Sequence, residues 1–377
     1  MMPGHCGISR RSVLKMMAAA GGASTVAVSQ WPRGASSASR LVVGAAYVGP
    51  KDDYGWNQGH AQGVAAIKKI DGVKVVEEEN VPETVQVQKT MESMINLDGA
   101  GLIFATSFGY WEHMLKVAAK HPKVQFLHGG PTVWKEGMPT NAGSYNGFID
   151  EAQYIAGIVA GNTSKTGKLG FVGAKPYPAS LRNINSFTLG ARTVNPKATT
   201  QVIFTGDWVL PVKEAESVNS LADQGIDVVT CHVDSPKVVI ETAEKRGIFS
   251  SGYHVNQSAL APKGYLTGAE WNWGKVYTDY VNWLREGKSW PHMRRGGLRA
   301  GIVRNAPYGP AVSDKARKQA DDAKTKFTDG SFVIYKGPMK DNTGKTVIPA
   351  GKSYDATDIW LESMDWLVEG VTGSTRS

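Results

Sequence analysis

The chain has 377 residues, 42 Lys and Arg against 34 Asp and Glu, and a hydrophobic fraction of 41%. This length predicts two domains or one large domain, and 11 Trp, 13 Tyr and 10 Phe exclude a disordered chain. Two cysteines cannot form a disulfide framework. The sequence contains no run of about 20 apolar residues, so it predicts no membrane-spanning helix.

Residues 1–38 are typical of an export signal. The basic segment Ser9-Arg10-Arg11-Ser12-Val13-Leu14-Lys15 has the paired arginines of the twin-arginine route, and apolar and small-residue segments follow it. We expect cleavage near Ala38 and no lipid anchor, which predicts a soluble periplasmic protein. Loss of the four basic residues of this segment lowers the formal charge from +8 to +4, so charge no longer indicates a nucleic-acid partner.

The rest of the chain alternates apolar strands with helices of 10–15 residues. The first couplet is Leu41–Gly49 followed by 55–70, and the same alternation continues to about His254. Strands that are apolar throughout, each followed by a helix, predict parallel sheets covered on both faces. Two doubly wound lobes are favoured over one sheet of ten strands. Cys231 falls in an apolar strand and is expected to be inert core.

Large aromatic residues stand at the predicted carboxyl ends of several strands, each beside a carboxylate, amide or hydroxyl group. Open parallel sheets bind ligands at this edge. Aromatic rings with a few polar groups suit a flat ligand with polar edges, such as a purine. The candidate ligand-binding residues are Asp53, Trp56, Asn57, Ser107, Phe108, Trp208, Asp234, His254 and Trp271.

Two structural alternatives apply to these residues. Any single aromatic residue at such a position can be packing between sheet and helix, and Asp53, Asp207 and Asp234 can cap helices. It is the joint placement of the rings that favours a site.

Motifs of catalysis are absent from the sequence. The segment Gly161–Lys168 is similar to a phosphate loop, but it has one residue too many between its glycines and Leu169 in place of a hydroxyl residue. We expect no enzymatic activity, no cofactor and no metal site.

Several motifs in order resemble the basic membrane protein family of ABC-importer solute-binding proteins, related to bacterial purine nucleoside receptors. They are Tyr47-Val48-Gly49-Pro50, Asp53-Tyr54-Gly55-Trp56-Asn57, Thr106-Ser107-Phe108-Gly109, Glu151–Gly161, Asn185–Pro196, Asp234-Ser235-Pro236 and Trp271-Asn272-Trp273-Gly274. The resemblance covers about Leu41 to Val371.

This resemblance implies a type I periplasmic binding protein of the α/β class. Its two doubly wound parallel-sheet lobes are joined by three crossovers and close on a purine. Residues 39–144 and 256–294 are expected in the first lobe, 145–255 and 295–371 in the second, and 372–377 in a disordered tail. Hinges are expected near Tyr145-Asn146, His254–Asn256 and Arg294–Gly297. The expected partners are the ligand and the permease subunits, with no nucleic acid and no membrane insertion, and a monomer is expected.

By this resemblance, Trp56 and Trp208 match the two aromatic residues that sandwich the base in the family's purine receptors. Where the nucleoside receptors hold the ribose with Asp and Lys, this sequence has His254 and Trp271, so a free base, adenine first, is predicted over a nucleoside. A nucleoside receptor, a sugar or polyol receptor of the same fold, a purine-nucleoside enzyme and a sensory protein remain alternatives.

Overall fold

The computed structural model describes residues 40–375, and the predicted signal segment 1–38 with its cleavage site lies outside this range. The strands are β1 Leu41–Ala46, β2 Val73–Glu78, β3 Leu102–Ala105, β4 Gln125–Gly129, β5 Ala142–Gly147, β6 Lys168–Gly173, β7 Thr199–Phe204, β8 Val228–His232, β9 Phe249–His254, β10 Tyr265–Trp271, β11 Met293–Gly296, β12 Val303–Asn305, β13 Tyr335–Lys336, β14 Met339–Lys340, β15 Thr346–Ile348, β16 Ser353–Tyr354 and β17 Val371–Thr372. The helices are α1 Trp56–Ile67, α2 Val85–Asn96, α3 Trp111–Lys120, α4 Ile149–Thr163, α5 Pro178–Val194, α6 Pro211–Asp223, α7 Lys237–Lys245, α8 Trp273–Arg285 and α9 Asp314–Asp329.

Two parallel sheets form the two lobes, as the sequence predicts. The first has the order β11-β5-β4-β3-β1-β2, and the second has the order β12-β10-β9-β8-β6-β7-β17, with only β12 antiparallel. The central strands read LVVGAA, LIFA and VVTCH, because a strand covered by helices on both faces is apolar at every position. Cys231 is fully buried in β8, which confirms the core prediction.

The chain passes between the sheets three times. It leaves the first sheet after β5, returns after β10 through α8 and β11, and leaves again after Gly296. The assignment of 145–147 and 295–296 to the second lobe is corrected, because β5 and β11 belong to the first sheet. The second crossing lies at 271–273, so the expected hinge near His254–Asn256 and the assignment of 256–271 to the first lobe are corrected as well. The reason is that β10 pairs in parallel with β9, Gly268 opposite Gly252, and so extends the second sheet.

Glycines let α4 and α5 pack in close contact. A Cβ atom on Gly157 would lie 2.0 Å from the carbonyl oxygen of Phe187, and one on Gly190 would lie 2.0 Å from that of Tyr154. No side chain fits at such a distance, so these glycines are required for packing. Two of the motifs that carry the family resemblance, Glu151–Gly161 and Asn185–Pro196, therefore form a helix–helix interface.

The C-terminal segment is ordered further than the sequence predicts. β17 pairs in parallel with β7, Val371 opposite Thr200, and closes the edge of the second sheet. The tail expected from residue 372 is therefore corrected at Thr372, which belongs to this strand. Among residues 40–375, no helix has the length and apolarity needed to cross a membrane.

Candidate functional site

The loops at the carboxyl ends of the two sheets meet at Asp234. The backbone N–H of Trp56, from the first lobe, donates to the carbonyl oxygen of Asp234 at 2.9 Å. The N–H of Asp234 in turn donates to the carbonyl oxygen of Trp208 at 2.9 Å. The two tryptophans predicted to sandwich a base are thus joined through the backbone of one residue, and we name Trp56, Trp208 and Asp234 the cleft group.

Further contacts across the lobes fix this junction. The hydroxyl of Ser235 donates to the carbonyl oxygen of Asp53 at 3.0 Å, and the amide nitrogen of Gln257 donates to that of Tyr54 at 2.6 Å. Gly55 lies against the junction, where a Cβ atom would come within 1.9 Å of the Asp234 carbonyl oxygen. The approach of the two loops therefore requires glycine at position 55.

Asp53 caps the helix that carries Trp56. Its carboxylate oxygens accept from the backbone N–H groups of Gly55, Asn57 and Gln58 at 2.8–3.1 Å, and from the Asn57 side chain at 2.8 Å. Asn57 in turn accepts from the N–H of Gly49 at 3.2 Å. Asp53 thus has the helix-capping role that was the alternative to ligand binding. Together with Asn57 it fixes the loop that precedes α1.

Trp56 is half-buried, and a hydrogen bond fixes its indole nitrogen. Its indole N–H donates to the carbonyl oxygen of Thr106, at the end of β3, at 2.7 Å. Next to Thr106, the hydroxyl of Ser107 donates to Glu83, which also accepts from the N–H of Gly109 at 2.8 Å. Ser107 is thus engaged within the first lobe.

Phe108, by contrast, is 64% exposed at the strand end. Its carbonyl oxygen, and that of Ser107, contact Nε2 of His128. Since His128 is fully buried, burial lowers its pKa to about 4, and it is neutral at physiological pH.

Beside Trp56 runs a stack of nearly parallel rings, which we name the ring column. Its centroid distances are 6.1, 5.2, 4.7 and 6.3 Å, with interplanar angles of 21°, 3°, 13° and 29°. Its members in order are Tyr277, His60, Trp273, Trp271 and His254. The ring of Trp56 stands at 72–88° to His60, His254, Trp271 and Trp273. The column runs past the second crossing and ties the two sheets together.

His254 and Trp271 bind each other within this column. The indole N–H of Trp271 donates to Nδ1 of His254 at 2.8 Å, and Nε2 of His254 donates to the carbonyl oxygen of Val233 at 3.0 Å. Both residues are at most 5% exposed, and burial lowers the pKa of His254 well below its usual range. His254 also has φ of +77°, a strained backbone angle for a residue with a side chain. All three ring nitrogens are therefore used inside the protein.

Trp208 lies on the second-lobe side of the junction. Its ring contacts Tyr177 and His232, each at 5.9 Å between centroids, and the amine of Lys175 stands 6.0 Å from its centre. Lys175 is also bonded to Asp207 at 2.9 Å. No residue within 40–375 accepts a hydrogen bond from the Trp208 indole nitrogen, so this group is available to a ligand.

The carboxyl group of Asp234 has no hydrogen-bond partner in the part of the chain that the structure describes. Burial, followed by the charges of Asp53, Glu83, Glu214 and Asp207, raises its pKa to about 8. A carboxyl without donors, among other carboxylates, favours the protonated form.

Sequence reasoning missed His60, Tyr277, Gln257 and Lys175. His60 lies one helical turn after Trp56, and Tyr277 one turn after Trp273, so the spacing i, i+4 was the available signal. Two buried ring nitrogens of the column, Nε2 of His60 and Nε1 of Trp273, lack a partner among the described residues. The same residues contain no group of three His, Cys, Asp or Glu side chains suited to a metal ion.

Two α/β lobes with three crossings and a polar, aromatic junction between them define a two-lobed ligand-binding protein. Residues 40–336 match the family model described as ABC transporter substrate-binding protein PnrA-like. The chain belongs to this family, Bmp, whose members bind a small molecule for a membrane permease rather than catalyse a reaction.

Individual relatives agree with this family. A purine-binding protein of Brucella abortus is 34% identical over 89% of this chain and 94% of its own length. A protein of Haloferax volcanii named as an ABC transporter glucose-binding protein is 29% identical over 88% of this chain and 80% of its own. The solved structure of an ABC transporter solute-binding protein from Conexibacter woesei covers 78% of this chain and 97% of its own, with a TM-score of 0.67 at 21% identity, and supports the fold.

Proposed function

We propose that this protein is the periplasmic receptor of an ABC importer for a purine base, with adenine as the first candidate. The base would lie at the cleft group, between the rings of Trp56 and Trp208, with Asp234 at its polar edge. Stacking of a base on one aromatic side chain contributes about 1–3 kcal/mol. The 34% identity to a purine-binding protein supports this ligand class.

The observation that carries the preference for a base over a nucleoside is the pair of His254 and Trp271. Ribose hydroxyls need hydrogen-bond partners, and both side chains have their ring nitrogens engaged inside the protein. The bulky pair also fills space at the ends of β9 and β10, the positions at which the family resemblance implies the ribose-binding Asp and Lys of nucleoside receptors. A purine without ribose needs neither the partners nor the space.

Closure of the lobes on the ligand would supply the signal to the permease. A ligand that touches Trp56 and Trp208 binds more tightly to the closed state than to the open one, and it shifts the equilibrium by that difference. We place the hinges at 147–149, 271–273 and 296–298, where the chain crosses between the sheets. Export by the twin-arginine route, with the signal removed near Ala38, would deliver the protein to the periplasm as a monomer.

Calorimetry on the purified protein tests this proposal. Adenine should bind more tightly than adenosine, since His254 and Trp271 have no free ring nitrogen for the ribose hydroxyls. Tighter binding of adenosine than of adenine to the unmodified protein would overturn the preference for a base.

A sugar is the second candidate, because the Haloferax volcanii relative is named for glucose. Aromatic rings also stack on sugar faces, but a sugar needs several free polar partners. Within residues 40–375 the junction offers the Asp234 carboxyl and the Trp208 indole nitrogen, whereas Asp53, Asn57 and Ser107 are engaged. Glucose in the same calorimetric series separates the two candidates.

A further inference from the structure

The Asp234 carboxyl differs from the other acidic groups around the junction. Asp53 accepts four hydrogen bonds, Glu83 is bonded to Ser107, and Asp207 is bonded to Lys175. Asp234 uses its backbone N–H and carbonyl groups to join the two tryptophans, but no donor among the described residues reaches its side chain.

Acidic groups from both lobes surround this carboxyl. The first lobe contributes Asp53 and Glu83, and the second contributes Asp207 and Glu214. The cation that interacts with this carboxyl is Lys175, which is bonded to Asp207. A second lysine, Lys237 of α7, lies over the Tyr54 ring, and the buried Tyr253 phenol is close by. Four acidic groups disfavour a further negative charge at this position, and Lys175, which is already paired with Asp207, offsets their effect only in part.

From this arrangement we propose that Asp234 binds the purine as a neutral carboxylic acid. In that form it has one O–H donor beside one acceptor oxygen. The O–H would donate to a ring nitrogen of the base, and the other oxygen would accept from the adjacent exocyclic N–H, as on the N6/N7 or N6/N1 edge of adenine. This inference rests on the proposed function, because it names how that site reads its ligand.

A carboxylate could accept from the exocyclic amine but would face the lone pair of the adjacent ring nitrogen, which is repulsive. The raised pKa of Asp234, about 8, agrees with the neutral form at physiological pH. Burial of a carboxyl in a site poor in donors keeps it protonated at neutral pH in known enzymes.

The test is the affinity for adenine from pH 6 to pH 9, where adenine stays neutral. Affinity should be constant up to about pH 7.5 and then fall about tenfold by pH 9, because the deprotonated carboxyl must take up a proton to bind. An affinity unchanged to pH 9 would overturn the inference. Absence of purine binding at pH 7 would instead contradict the proposed function, so the two failures are distinguishable.

Asp234→Asn sharpens the test, since an amide also has one donor beside one acceptor. The variant should bind adenine within about threefold of the unmodified protein at pH 7 and lose the alkaline fall. The matched control is Glu151→Gln, which removes another buried carboxyl whose pKa is raised, to about 7, but which lies outside the cleft group. The Glu151 carboxylate accepts a hydrogen bond from the backbone N–H of Leu298. Glu151→Gln should keep the loss of adenine affinity between pH 7.5 and pH 9. The proposal would be contradicted if this loss disappeared in Glu151→Gln and remained in Asp234→Asn.

A second measurement needs no variant. Calorimetry at pH 8.5 in buffers of different ionisation enthalpy should show that adenine binding takes up most of one proton. No proton uptake at this pH would overturn the inference.

Discussion

The cleft group and the ring column contain the same kinds of side chain and each has polar atoms without a partner among residues 40–375, but they differ in burial: His60 and Trp273 of the column are at most 1% exposed, whereas Trp56, Trp208 and Asp234 are partly exposed. In the column, Trp271 and His254 bind each other and are almost completely buried. In the cleft group, the Trp208 indole nitrogen and the Asp234 carboxyl have no partner within residues 40–375. Burial, rather than position at a strand end, therefore separates the aromatic residues of the core from the candidate ligand contacts.

The largest effect is expected in the ring column. Trp271→Ala should lower the free energy of unfolding by about 3–5 kcal/mol, because it removes a buried ring from a packed stack and leaves the His254 nitrogen without its donor. Chemical denaturation of the ligand-free protein measures this effect. A loss below about 1 kcal/mol would show that the column does not stabilise the contact between the lobes.

Acid should weaken the fold through the buried histidines. The pKa of His128 is lowered to about 4, against about 6.5 in the unfolded chain, so stability is complete above pH 6.5 and falls as the pH drops toward 4. The loss from this residue amounts to at most about 3 kcal/mol. His128→Gln should flatten the profile of unfolding free energy between pH 6.5 and 4, whereas an unchanged slope would assign the acid sensitivity to other groups.

Trp208→Ala should weaken ligand binding by about 1–3 kcal/mol and change stability little, because its ring is half-buried at the cleft. Calorimetry with adenine measures the affinity. The matched control is Trp283→Ala, on α8 beside Arg294 and outside the cleft group, which should keep full affinity. Equal adenine affinities of Trp208→Ala and Trp283→Ala would show that Trp208 does not contact the ligand.

The smallest effect is expected at Phe108, which is 64% exposed. Phe108→Ala should change the unfolding free energy by less than about 0.5 kcal/mol. It should also reduce the adenine affinity less than Trp208→Ala does. A larger loss of affinity than that of Trp208→Ala would show that Phe108, not Trp208, is the main ring on the base.

The apolar periodicity of the chain was sufficient to predict the two parallel sheets and most of their helices. It missed β5, because the sequence AGSYNG lacks a continuous apolar run. The lobe boundaries expected from the family resemblance placed β10 in the wrong lobe, since the order of strands in a sheet depends on pairings that no local pattern records.

At the site, the positions of Trp56, Trp208 and Asp234 at strand ends were readable from the sequence. The bond between His254 and Trp271 was not, because these residues end neighbouring strands and meet only once β9 and β10 are paired. The capping role of Asp53 was foreseen as one of two alternatives. Contacts that depend on how two distant strand ends meet require the folded chain.

The most direct measurement is a crystal structure of the protein soaked or co-crystallised with adenine. The base should lie between the rings of Trp56 and Trp208, with the Asp234 carboxyl within hydrogen-bond distance of its edge and with His254 still bonded to Trp271. Adenine bound away from the cleft group, or a base that displaces Trp271 from His254, would contradict this prediction.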